Sequence, residues 1–307
     1  MSTISTAPRQ GSLLSPEGWY TTADWMLRVA LFVYLAGLAV AIFTRAQTSI
    51  GGIALMYWGV PHDTIFFWER TAAAVLLLAG LSLLIWPTVI AALFIGGAVF
   101  TEAYAAYRFG GDHFVEWVIA ARTLRYLLPV AAAALIISPR IVPHVRWKAL
   151  ASMWILRIGL AVVFATHGME ALRQHPGFID LLIGTTGNLL GLRMTESTAV
   201  LLLKVIGVVD LIVAFLILVG RWRWLLGWLF FWAAITAASR MTALGFMSYP
   251  EFLVRSSHMV APLGIWALGQ YQDLTSTSTA EESASAGNPD EGTSGHALLR
   301  GQMDPAR

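Results

Sequence analysis
MWILRIGLAVVFATHGMEAL, residues 153–172, decides the fold. The run is aliphatic and aromatic, carries Arg157 near its start, and ends in Thr166-His167-Gly168 with Glu170 behind it. A helix that crosses a bilayer needs roughly 20 mostly apolar residues, and this stretch supplies them. Earlier in the chain WMLRVALFVYLAGLAVAIF, residues 25–43, follows the same plan, with Leu27-Arg28-Val29 answering Leu156-Arg157-Ile158. The chain therefore reads as one four-helix unit written twice, each copy opened by one of these helices.

Composition agrees with a membrane protein. Hydrophobic residues make up 57% and charged residues only 12%, with a mean hydropathy of +0.67, whereas soluble domains are about a quarter charged. A formal net charge of +2 is too small to suggest nucleic acid. The absence of cysteine removes disulfides, thiolate metal sites and cysteine nucleophiles. Residues 1–24 are polar and expected to be flexible, without the layout of a cleaved signal, so the first helix directs insertion.

We read eight spanning helices, at about 25–43, 66–86, 88–107, 118–138, 153–172, 198–220, 222–239 and 253–269. The first four form one repeat, 25–138, and the last four a second, 153–269, joined by a basic linker at 139–152. Residues 44–65 and 173–197 are long loops, the first too short and Gly-rich to span. Residues 270–307, rich in Ser, Thr, Gly and acidic side chains, are expected to be disordered. Basic residues in the linker and at Arg221 and Arg223 place those turns, and with them both termini, on the cytoplasmic side of a bacterial-type inner membrane.

The two copies match in detail. Arg122-x-x-Arg125-x-x-x-Pro129 in the fourth helix answers Arg255-x-x-His258-x-x-x-Pro262 in the eighth, each with a carboxylate upstream, Glu116 and Glu251. An even number of helices per copy makes the copies parallel, related by an axis along the membrane normal. The ionisable side chains crowd toward the outward end: Glu69, Glu102, Arg122 and Arg125 in copy one; His167, Lys204, Arg240, Glu251, Arg255 and His258 in copy two. Such groups are costly in hydrocarbon unless they face a partner or a wet cavity, so each copy is expected to enclose its own polar nest. A slight excess of basic residues suits a small anion, a quinone carbonyl or a lipid head group. The plainer reading is that these pairs only fix packing and register. Asp210, near the middle of the sixth helix, reads either as a structural acid or as a proton carrier. His167 and His258 are more simply satisfied polar histidines than haem ligands, and no metal site is expected.

Arg157, Gly159, Leu160, Phe164, His167 and Gly168, followed by Gly207, Gly220 and Arg221, give copy two a likeness to a known family. It resembles the DoxX-like membrane proteins, small four-helix bundles, and copy one resembles them through the internal repeat. The family usually carries a carboxylate early in its second helix; Glu69 fits that in copy one, whereas copy two has Lys204. The resemblance implies a place in membrane redox systems, one branch being similar to the small subunit of thiosulfate:quinone oxidoreductase. The expectation is an all-α polytopic protein of two parallel four-helix bundles, serving as an integral subunit of a membrane oxidoreductase with protein partners and holding a quinone or small sulfur anion. The alternatives are a lipid- or small-anion-binding or transport protein and a purely structural scaffold.

Overall fold
The computed structural model describes residues 14–44, 48–110, 113–138, 144–220 and 222–286, and among them there is no strand. The helices are α1 (Pro16–Thr44), α2 (Ser49–Trp58), α3 (His62–Ile85), α4 (Val89–Phe109), α5 (Val118–Ala121), α6 (Thr123–Ile136), α7 (Val145–Leu172), α8 (Pro176–Leu190), α9 (Glu196–Val219), α10 (Arg223–Leu244), α11 (Tyr249–Leu253) and α12 (Ser256–Ala286). Short 3-10 turns at Val115–Trp117 and Phe246–Ser248 precede α5 and α11. The order long, short, long, long, 3-10, short, long thus occurs twice.

Local chemistry sets the boundaries. Pro87 has no N–H and disfavours helix at the residue before it, so α3 stops at Ile85; the Thr88 hydroxyl then accepts from Ala91 N at 3.2 Å and starts α4. Thr195 does the same for α9, accepting from Thr198 N at 3.3 Å, with Glu196 favourably placed in the first turn. α2 is opened by Thr48, whose hydroxyl accepts from Gly51 N at 2.9 Å. It is closed by Gly59 at φ +62°, a left-handed position that glycine takes without strain.

Seven helical stretches among the described residues are long and apolar enough to cross a membrane. The eighth expected span, 253–269, falls on α11 and the first half of α12. There only 259–269 is unbroken apolar sequence between His258 and Gln270, roughly 16 Å of helix against a hydrocarbon core of about 30 Å. Two further expectations are corrected. Helix α1 begins at Pro16, with Trp19 and Ala23 already buried, so residues 16–24 are ordered rather than flexible. Helix α12 runs on to Ala286, past residue 270, because Tyr271 is buried against the ring of Tyr20 at 5.6 Å. Residues 1–13, 139–143 of the linker and 287–307 of the tail lie outside the described residues. The long loops are corrected too, since they contain α2 and α8.

The halves interlock. α1 packs on α12 and α6 on α7, while the α3–α4 pair flanks α1 and α6, α9 lies against α7, and α10 lies against α12. Leu31 and Leu35 of α1, Leu124 and Leu128 of α6, Leu156 and Leu160 of α7, and Ile265 and Leu268 of α12 share one buried cluster. The nests of the two halves therefore abut. Lipid is as apolar as leucine, so close approach rather than apolar burial must hold such helices together. Gly37 supplies it between α1 and α11, where an added Cβ would stand 2.5 Å from Leu253 Cβ; Gly159 supplies it between α7 and α6, at 3.0 Å from Leu124. Outer faces of α3, α4, α9 and α10 expose Leu78, Ile90, Phe215 and Phe231, a surface suited to acyl chains.

Candidate functional site
Arg122 and Arg255 occupy the same kind of place. Arg122 sits in the break between α5 and α6, with φ −98° and ψ 4°, and Arg255 in the break between α11 and α12. One turn on, Arg125 N donates to Arg122 O at 3.0 Å, as His258 N does to Arg255 O at 3.0 Å. Four residues further again, Pro129 and Pro262 lie within α6 and α12. Lacking an N–H, each leaves the carbonyl one turn back, of Arg125 and of His258, without its helical donor.

These groups meet in one cluster rather than two. The Arg255 guanidinium donates to Glu251 Oε2 at 3.0 Å and to the Glu251 carbonyl at 2.8 Å. Arg125 of the first half lies within electrostatic reach of Arg122, Arg255, Glu251 and Tyr34. Arg240 of α10 faces Glu251 and Arg125, and His258 faces Arg125, His167, Arg255 and Arg240. Ser256 pins the start of α12 to α1 by donating to Ala30 O at 3.0 Å. Partial burial raises the Glu251 carboxyl, but the bonded Arg255, with Arg125 and Arg240, outweighs it and holds the group below the usual carboxylate range. Two separate nests were expected. One shared site forms because α6, which carries Arg125, packs on α7 and α12 of the second half as well as on its own half.

Other expected residues lie elsewhere. Glu69 and Glu102 serve the start of α2: Glu69 Oε1 accepts from Thr48 N at 2.6 Å and Thr48 Oγ1 at 2.7 Å, and Glu102 accepts from Ser49 N at 2.7 Å and Ile50 N at 3.3 Å. Carboxylates there complement the free N–H groups and the positive end of the helix. Lys204 is exposed on α9 and does not join the cluster, because α9 packs against α7 and leaves most of its circumference bare. Asp210 is buried against Gly168 of α7 and bonds Trp232, its Oδ1 having no partner among the described residues. His167 touches the edge of the cluster while its Nδ1 lies 2.8 Å from Glu170 Oε2. Tyr34, 3% exposed within α1 and facing Arg125 and Arg122, belongs to the site and was missed. Its signal was a lone phenol in an otherwise apolar run.

Three guanidinium groups, Arg125, Arg240 and Arg255, thus face the carboxylate of Glu251, with Arg122 beside Arg125 and Glu102 within electrostatic reach of Tyr34. Among the described residues Arg125 and Arg240 form no ion pair, and Arg125 Nε is buried without a partner. No group of three or more His, Asp or Glu side chains among the described residues is placed to hold a metal ion. The arrangement can attract negative charge, and the Tyr34 phenol faces Arg125 and Arg122 beside it.

No family model matches the chain, and neither a curated protein nor a solved structure matches it.

Proposed function
We propose that this chain is a multi-pass membrane protein that binds a small anion at the arginine cluster shared by its two halves. The observation that carries this reading is the convergence of Arg125, Arg240 and Arg255 on Glu251, with Arg122 beside Arg125, a half-buried excess of positive charge that a bound anion would neutralise. The halves are read as copies of one ancestral unit, because the element order and the Arg-to-Pro spacing recur together. With both copies contributing arginines to one cluster, the ligand is held by both.

The test is binding in detergent solution. Sulfate, thiosulfate, phosphate and chloride are titrated while the melting temperature is followed; a ligand at a hundred times its Kd stabilises by about 2.7 kcal/mol. A saturable shift for at least one of them, absent in Arg125→Gln, is the expected result. No shift for any of the four refutes the reading.

The second reading, a subunit of a membrane oxidoreductase holding a quinone, is supported by the DoxX-like residues from Arg157 to Gly168. The exposed apolar ridge of Trp224, Phe231 and Ile235 on α10 offers such a partner subunit a place to sit. Its test is purification in mild detergent: a redox enzyme that stays bound in stoichiometric amount supports it, and a chain that purifies alone removes it. The inner-membrane placement with both termini cytoplasmic, read from the basic turns, requires α12 to complete an eighth crossing under the cover of α1, α7 and α10; a reporter after Arg307 that works only outside the cytoplasm would reverse it.

A further inference from the structure
A groove of about 450 Å³ runs along the outer face of α3 beside the end of α1, lined in part by Phe43, Asp63, Phe66, Arg70, Ala74 and Leu78. Its polarity is ordered. Asp63 lies at the N-terminal end of α3, Arg70 two turns further on, and beyond it the wall is apolar as far as Leu78.

Arg70 is held in place without being neutralised. Its Nη2 donates to Phe43 O at 3.1 Å, and the guanidinium carbon stands 3.5 Å from the centroid of the Phe66 ring. It forms no ion pair among the described residues, and its Nε has no partner. Because the guanidinium lies over Phe66, it sits one turn nearer the helix start than its own Cα, about 4.5 Å along the axis from the level of Asp63. Asp63 and Arg70 do not bond each other, so an anion and a cation face the groove side by side at unlike depths.

We propose that this groove binds one phospholipid whose headgroup carries an ammonium beyond its phosphate, with the phosphate on Arg70, the ammonium toward Asp63 and an acyl chain along Ala74 to Leu78. The order acid, base, apolar wall repeats the order ammonium, phosphate, acyl chain of phosphatidylethanolamine. A headgroup without the ammonium, such as phosphatidylglycerol, would leave Asp63 facing only negative charge. The second half has part of this device. α3 and α9 are both 24 residues long, and in that register Leu203, not Lys204 as the sequence suggested, answers Glu69; Lys204, exposed, holds in α9 the position that the half-buried Arg70 holds in α3, but Ser197 stands where Asp63 would be. Selectivity for the ammonium is thus confined to the first half.

The experiment is reconstitution of the full chain with an equimolar mixture of phosphatidylethanolamine and phosphatidylglycerol, extraction into mild detergent, and native mass spectrometry of what stays bound. Wild type is expected to retain one phosphatidylethanolamine. Arg70→Gln should lower its occupancy by at least about ten-fold, the loss expected for a charge-assisted bond. Asp63→Asn should keep a phospholipid but lose the preference, and since Asp63 is exposed that variant tests the idea even where Arg70→Gln folds poorly. Lys204→Gln should change nothing. The proposal is overturned if wild type prefers phosphatidylglycerol or retains neither lipid, or if Arg70→Gln or Asp63→Asn behaves as wild type.

Discussion

Replacing Glu69 with Ala separates a residue that holds the fold from one that holds a ligand. Glu69 is 8% exposed and its Oε1 takes two hydrogen bonds, from Thr48 N and Thr48 Oγ1, while the same hydroxyl caps Gly51 N. Bonds to a charged group contribute about 1.5–3 kcal/mol each, so the two supply about 3–6 kcal/mol. Removing the carboxylate also relieves the cost of having buried it, which returns part of that sum. A net loss of about 2–3 kcal/mol follows, or about 4–12 °C in melting temperature at the 2–4 °C per kcal/mol of larger domains. Thermal unfolding in detergent by tryptophan fluorescence reads the loss, and hydrogen exchange locates it: protection should vanish at Gly51 and its helical neighbours in α2 and persist in α7. Anion binding should be unchanged. A variant with wild-type melting and wild-type protection of α2, or one that folds normally and no longer binds the anion, would refute the reasoning.

Glu251 makes a prediction about pH. Its folded value lies below the ordinary one, so its contribution to stability is present above the unfolded pKa, about 4.3, and is lost as pH falls through the lower folded value. Melting curves of wild type should therefore fall more steeply on acidification below about pH 4.5 than those of Glu251→Gln, and coincident curves would remove the Arg255–Glu251 pair from the account. Gly207→Ala should destabilise by about 1–3 kcal/mol, because the added Cβ would stand 2.7 Å from Gly168 O, a backbone atom of α7 that cannot yield; an unchanged melting temperature would show that α7 and α9 separate easily.

The long helices were legible because an apolar run of bilayer length has few other fates, and the Arg-to-Pro spacing of α6 and α12 was legible because it is local. What was not legible depends on neighbours. Glu69 and Glu102 looked like members of an outward nest, yet nothing in a sequence says that α2 will bring its free N–H groups to them. α2 itself, Ser49–Trp58, is apolar on most sides and too short to announce a period. Lys204 does not join the cluster, since it stands on the exposed side of α9, away from the face covered mainly by α7. The separate bundles failed for the same reason: amphipathic order in one helix says which face is buried, not by which helix, and α1 is covered by α12. Residues 270–286 were misjudged on composition, where Ser and Thr masked the burial of Tyr271 and Gln272.

The hydroxyl bond from Ser256 to Ala30 spans 226 residues of chain, and it has a consequence for synthesis. α1 is made long before α12, the helix that covers it. Until α11 and α12 arrive, Leu27, Leu31 and the gap at Gly37 lack their cover, and the arginine cluster lacks the Arg255–Glu251 pair. Closure of this seam therefore waits for the synthesis of α12. A ribosome that stalls before residue 256 leaves a half-made chain with an open seam, a form that quality control can recognise by its uncovered first helix.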